Sequence, residues 1–253
     1  ALVATWQRRS KIGLVGVGFN SQTGQWTDPD ASVASGIDSY YEYLYKCWRL
    51  FGDKQCLAMW KTSISAINKY LADDVNGQLW YGHADMITGK RTTTQYGALD
   101  AFFPAVLALS GDVDRAARLQ DSSFRMWNLY GIEPELLDYK SMKVIAPGYE
   151  LRPEIVESTY YLYHYTHDPK YLAMGRTLFD DFVKYCRTPY GYAALKSVVT
   201  KQQRDDMESF VLAETFKYYY LLFNPKALDF DHVTFNTEAH PLRRTWSADS
   251  AVH

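Results

Sequence analysis

Pro153–Pro169 reads PEIVESTYYLYHYTHDP. Proline suits the first turn of a helix, and the macrodipole favours acids such as Glu154 and Glu157 there. The body that follows is apolar or aromatic on most sides, so a helix formed from it needs neighbours all round. His167-Asp168-Pro169 reads as a helix stop followed at once by a new start. The stretch therefore predicts a buried helix whose leading turn carries two carboxylates, with Arg152 just ahead of it.

Three other segments share this grammar: DSYYEYLYKCWRLFGD (Asp38–Asp53), TTQYGALDAFFPAVLALSGD (Thr93–Asp112) and MESFVLAETFKYYYLLFNP (Met207–Pro225). Their turns at Asp53, Asp112, Asp168 and Pro225 recur roughly every 56 to 59 residues, the mark of a repeat architecture. An acid stands 11 or 12 residues before each turn: Glu42, Asp100, Glu157 and Glu214. More polar, amphipathic helices are predicted between them, at Lys54–Ala72, Val113–Tyr130 and Lys170–Arg187. The unit is thus a helical hairpin, with one inner and one outer helix. Such hairpins stack into a solenoid or close into a ring. In a ring, Asp38, Glu154 and Glu208 would stand at the leading ends of inner helices, with Glu42, Glu157 and Glu214 a turn further in. Acids gathered this way are costly without cations or donors to offset them, and capping accounts for only one per helix. Short β-like pieces are expected in QLWYGHADM, GYAALKSVV and HVTFN.

Composition narrows the function classes. The chain has 253 residues, a net charge of -2, 47% hydrophobic and 16% aromatic content. That suffices for a packed core, and a near-neutral balance with no basic run argues against nucleic acid as a partner. No apolar window is long enough to span a bilayer, and ALVATWQRRS does not read as a secretory signal. Cys47, Cys56 and Cys186 form no CxxC pair, so buried thiols are the expectation, with one cysteine of an odd set left available for a bridge elsewhere.

Five blocks in order, SGIDSYYEYLYK, LRPEIVESTYYLYHYTHDPKY, GYAALKSV, MESFVLAETFKYYYLLF and FNTEAHPL, make the chain resemble glycoside hydrolase family 47, the class I α-1,2-mannosidases. The Gly36-Ile37-Asp38-Ser39 context resembles the branch of ER degradation-enhancing mannosidase-like proteins (EDEM). The resemblance implies an all-α fold, an (α/α)7 barrel with short β-hairpins in its loops. Residues 1–253 would be the C-terminal four or so hairpins of one such domain, with about three preceding Ala1.

It also implies roles. The reaction is inverting hydrolysis, which needs one carboxyl as acid and a second as base on a water, far enough apart to admit that water. Glu154 falls at the base position and Asp38 at the second catalytic carboxylate; the family's other candidate acid has no counterpart in this chain. Arg152, Glu157, Phe210 and Glu214 fall at substrate-binding positions. Phe210 stacks under the sugar, and Arg152 grips hydroxyls or holds Glu154. Thr237 and Glu238 match a calcium site, with oxygen ligands that suit Ca²⁺. Aromatics such as Tyr160, Tyr161 and Tyr218–Tyr220 read as core. The implied activity is trimming of terminal α-1,2-mannose from high-mannose N-glycans on misfolded glycoproteins in the endoplasmic reticulum lumen, feeding ER-associated degradation. A thiol oxidoreductase of the disulfide isomerase kind is an implied partner through Cys186, as is the N-terminal part of the barrel. The competing reading is a lectin-like receptor that holds the glycan uncut.

Overall fold

A computed structural model describes residues 1–244 and Trp246. The chain divides into two compact units, one of Ala1–Asp73, Tyr81–Thr94 and Asp229–His253, the other of Asp74–Trp80 and Gln95–Leu228.

In the first unit, helices Asp38–Phe51 and Lys54–Tyr70 form an antiparallel hairpin. Gly52 ends the first helix in the left-handed region (φ 69°), where a residue without Cβ carries no penalty. Asp53 then caps the second, accepting from the Gln55 and Cys56 amides at 2.7 and 3.2 Å. A disulfide between Cys47 and Cys56 ties the helices beside this turn. This corrects the expectation of buried thiols for those two residues: the hairpin brings facing turns together, so cysteines nine apart become neighbours. Cys186, in the other unit, is a free thiol with 0% exposure. The first unit also holds a three-stranded antiparallel sheet, Asp30–Ala31, His83–Asp85 and Arg91–Thr93, in that spatial order. The hairpin Val233–Phe235 with Pro241–Arg243 has its first strand against helix Asp38–Phe51.

The second unit repeats the hairpin. A 3₁₀ turn Leu99–Phe102 runs into helix Phe103–Leu109, followed by Val113–Asn128; Glu154–Thr166 is followed by Pro169–Cys186. Asp112 and Asp168 cap the second helix of each pair, as Asp53 does. Helix Glu154–Thr166 is central and packs against Phe103–Leu109, Val113–Asn128, Pro169–Cys186 and Phe216–Phe223. Its buried polar groups are matched: Ser158 Oγ donates to the Ala101 carbonyl and accepts from the Ala105 amide at 3.0 Å. Gln120 Nε2 donates to the Ile155 carbonyl (3.1 Å) and to Thr159 Oγ1 (2.9 Å). At Gly175 an added Cβ would lie 2.1 Å from Leu222 Cδ2, so the absence of a side chain sets how closely those helices approach.

The repeat departs from its sequence reading in two places. The second inner helix begins at Leu99 rather than Thr93, because Arg91–Thr93 and Gln95–Gly97 are strands, where β-branched threonine fits well. The fourth begins with a π-helical segment, Val211–Thr215, continued by Phe216–Phe223; among the described residues no outer helix follows it. Glu208 lies ahead of that segment and is exposed. Tyr160, Tyr161, Tyr218 and Tyr219 are core as expected, but Tyr220 is 60% exposed. Among the described residues, no helix is long and apolar enough to cross a membrane.

Candidate active site

The second unit gathers the residues around the LRPE stretch. Leu151 is fully buried yet holds φ 63°, in the left-handed region that a bulky residue rarely visits. Its carbonyl accepts from Thr215 Oγ1 at 2.8 Å, which fixes the bend. The chain then enters helix Glu154–Thr166 with Arg152 turned to Glu135. Arg152 Nε donates to Glu135 Oε2 at 3.1 Å and Nη2 to the same oxygen at 2.9 Å, while Nε also reaches Oε1 at 3.3 Å. The Glu150 amide donates to Glu135 Oε1 at 2.9 Å. The alternative in which Arg152 directly grips Glu154 is thus not what forms: the fork is occupied by Glu135. Arg152 acts on Glu154 through its charge, which opposes the upward push of burial on that carboxyl.

Glu154 lacks a full set of donors. Its Oε2 is sealed from solvent with no hydrogen-bond partner. Burial raises its pKa well above the ordinary carboxylate range; Arg152 and a backbone N–H pull it down, and the charges of Glu157 and Glu214 push it up again. Glu157 Oε1 accepts from Tyr218 OH at 3.0 Å. Phe210 precedes the π-helical turn that carries Glu214, and the Arg152 guanidinium lies 5.7 Å from its ring centroid. Single π turns occur often at functional sites because they re-aim a side chain within a helix. The structure thus brings Arg152, Glu154, Glu157, Phe210 and Glu214 into one neighbourhood.

The first unit holds the rest. Asp38 opens helix Asp38–Phe51, and its Oδ1 accepts from the Ser39 amide and hydroxyl at 2.5 and 3.0 Å. Ser39 Oγ lies 3.3 Å from Thr237 Oγ1, and Tyr43 OH accepts from the Thr237 amide at 3.1 Å. Thr237 therefore stands beside the leading turn that carries Asp38, held through its N–H by Tyr43 and through its hydroxyl by Ser39. Two oxygens of one exposed threonine, with the Glu238 carboxylate next in sequence, form a hard donor set of the kind Ca²⁺ takes. Glu238 Oε2 is 3.7 Å from His240 Nδ1 on the same turn.

Two of the repeated acids are local structure instead. Glu42 is buried against Lys46, one turn along its own helix. Asp100 Oδ2 accepts from the Gly97 amide at 2.9 Å, closing the 3₁₀ turn. Sequence reasoning missed Glu133 and Glu135, which lie in the loop ahead of Leu136–Asp138. The Glu-Pro-Glu string was their signal, but no helical period surrounds it.

The fold is one of helical hairpins with carboxylates on their leading turns. The chain belongs to glycosyl hydrolase family 47, whose family model matches residues 1–244. It is 38% identical to α-mannosidase I MNS5 of Arabidopsis thaliana, over 96% of this chain and 42% of that protein. It is 40% identical to ER degradation-enhancing alpha-mannosidase-like protein 3 of Homo sapiens, over 96% of this chain and 26% of that one. The chain therefore spans less than half the length of these relatives. Among solved structures it is similar to the α-1,2-mannosidase from Trichoderma reesei, an (α/α)7 barrel, with a TM-score of 0.78 and 27% identity over 88% of this chain and 55% of that one.

Proposed function

We propose that this chain is the C-terminal part of one (α/α)7 barrel, and that the barrel hydrolyses terminal α-1,2-linked mannose from high-mannose N-glycans with inversion. The observation that carries this reading is Glu154: a carboxyl at a helix start, with one sealed and unpartnered oxygen, next to a guanidinium that another acid holds in place. A base that must take a proton from water works best with a pKa near the operating pH, and burial moves Glu154 in that direction. Asp38, at the start of helix Asp38–Phe51, is the second carboxyl that an inverting reaction requires. Phe210 offers an apolar face to the sugar, with Glu157 and Glu214 as hydroxyl acceptors. Thr237 and Glu238 would hold Ca²⁺, which when bound supplies a positive charge and a grip on adjacent sugar hydroxyls.

The setting we infer is the endoplasmic reticulum lumen, with trimming that marks misfolded glycoproteins for degradation. The likeness to an ER degradation-enhancing protein supports it, and the Cys47–Cys56 disulfide suits an oxidising compartment. Cys186 is a poor candidate for a bridge to an oxidoreductase, since its thiol is fully buried and burial pushes its pKa to about 12. The test is to incubate the full-length protein with a nine-mannose glycan, with and without EDTA. Release of mannose that EDTA stops supports the enzyme; tight binding of an unshortened glycan supports a lectin-like receptor and removes the hydrolase reading.

A further inference from the structure

The outer helix of the first unit, Lys54–Tyr70, presents Lys61, Ser65 and Lys69 at intervals of four, so they form one exposed row along its surface. The segment Gln7–Gly13 runs beside that row. Gly13 lets it come close: its φ is 91°, and an added Cβ would stand 3.0 Å from Ala66 Cβ. Segment and helix together line a cleft of about 910 Å³. Arg9 and Lys11 enter it from the segment, Lys61 and Lys69 from the helix, and no acid lines it. None of these four cations forms an ion pair among the described residues, whereas Arg91, Arg115, Arg118 and Arg176 each have an aspartate. Two of the four are placed by rings instead. The Arg9 guanidinium lies 3.5 Å from the Trp6 ring centroid, and its Nη1 donates to the Trp6 carbonyl at 2.8 Å. Lys69 Nζ lies 4.9 Å from the Tyr70 centroid. Such contacts position a cation without neutralising it. In a chain of net charge -2, an acid-free cleft with four cations reverses the overall balance locally. The cations repel one another, and a bound anion relieves that repulsion.

We propose that this cleft binds an acidic polypeptide segment of a partner in extended form. Lys61 and Lys69 are two helical turns apart, about 12 Å along the axis at a rise of about 1.5 Å per residue. A single phosphate or carboxylate cannot touch both, whereas about four residues of extended chain, at about 3.3 Å each, span the distance. An extended chain also brings its own N–H and C=O groups, and Gln7, Thr62 and Ser65 in the lining offer donors and acceptors to them. Nucleic acid is the other extended polyanion, but its single strands are held by bases stacked on open aromatic rings. Tyr70 is the one ring among the lining residues, and it is covered: Lys69 lies over it, and an added Cβ at Gly89 would stand 2.5 Å from its Cδ1. Exposed charge pairs are individually weak and screened by salt, so the cleft gives fast, modest and salt-sensitive binding. It shares no residue with the carboxylate sites, and the proposal does not depend on the mannosidase reading.

Fluorescence anisotropy of labelled octaglutamate with the full-length protein tests it. Binding at low salt is expected, weakening about tenfold as salt rises to about 0.15 M. Lys11→Glu with Lys61→Glu should weaken it about tenfold or more at low salt. Lys196→Glu with Lys226→Glu changes the net charge equally at exposed positions of the other unit and should leave binding unchanged. Lys11→Gln with Lys61→Gln should show a smaller loss of the same sign, which keeps the test open if the reversal variant does not fold. No binding of octaglutamate at low salt overturns the proposal, as does equal binding by wild type and the Lys11/Lys61 variants. A loss as large in the Lys196/Lys226 variant means that net charge alone is read, and overturns the cleft. Tighter binding of an octathymidylate strand, or displacement of the peptide by an equal concentration of inorganic phosphate, overturns the acidic polypeptide as occupant. Mannose release should be the same in all these variants, so a wild type that cuts no glycan removes the hydrolase reading and leaves the cleft standing.

Discussion

Arg152 and Glu135 meet fork to fork, with Nη2 2.9 Å and Nε 3.1 Å from Glu135 Oε2. This pair, between a loop and the residue two ahead of a helix start, fixes the guanidinium next to Glu154 without spending it on Glu154. The charge of Arg152 is what holds the Glu154 pKa below the value that burial alone would give.

Neutralising that charge gives a signed prediction. In Arg152→Gln the Glu154 carboxyl loses its largest downward influence, so its pKa rises further and the ionised base is lost at a higher pH. The acid limb of kcat should shift upward, read from a pH–rate profile of the full-length protein. A limb that stays in place would show that Arg152 does not tune this group. Glu135, left with one amide as its donor, should also cost about 1–3 kcal/mol of stability in a urea titration.

Glu133 should oppose folding at neutral pH. Its native pKa is raised above the ordinary value of 4.5, so the native state binds more protons than the unfolded one and stability falls as pH rises above that value. Glu133→Leu should therefore raise Tm at pH 7, and the gain should shrink toward pH 4.5. Thermal melts at the two pH values check it; a gain that is equal at both would contradict a raised pKa.

How far the sequence carried these conclusions differs by element. The hairpins were legible because each turn states its own chemistry: a left-handed residue at Gly52 or His167, then Asp53 or Asp168 as cap. The LRPE acids and the aromatic core followed from position. Glu42 was read only as one of the repeated acids a turn into the inner helices, although Lys46, four residues on, offered the helical partner it is buried against. Glu133 and Glu135 escaped because strands such as Leu136–Asp138 and Lys143–Ala146 are too short to show alternation. Their environment is built by segments distant in sequence, as when the Tyr149 amide donates to the Leu195 carbonyl at 3.0 Å. The Cys47–Cys56 bond became visible only once the hairpin turned the two helices face to face.

The buried Glu42–Lys46 pair should be costly to break and cheap to replace. Lys46→Met leaves a sealed carboxylate and should lose about 3–5 kcal/mol, whereas Glu42→Leu with Lys46→Met should recover most of it. Chemical denaturation of the single and double variants decides this; equal losses would mean that Glu42 does not depend on Lys46.

Packing at Gly175 should tolerate no methyl. Gly175→Ala drives a Cβ into Leu222 and should cost about 1–3 kcal/mol. Adding Leu222→Ala should make the two effects less than additive, because the clash is gone. Strict additivity in the double-mutant cycle would sink that explanation.

Reduction of the Cys47–Cys56 bond should destabilise the chain by about 2–3 kcal/mol, the chain-entropy value for a loop this short. Thiol titration of the unreduced native protein should find no reactive group, and one after denaturation, since Cys186 is fully buried. A reactive thiol in the native state would contradict its placement.

The most direct measurement is mannose release by Glu154→Gln in the full-length protein, with a nine-mannose glycan as substrate and binding measured in parallel. If Glu154 is the base, turnover falls by about 10²–10⁴ while the glycan still binds. Release at the wild-type rate from Glu154→Gln would place the chemistry elsewhere.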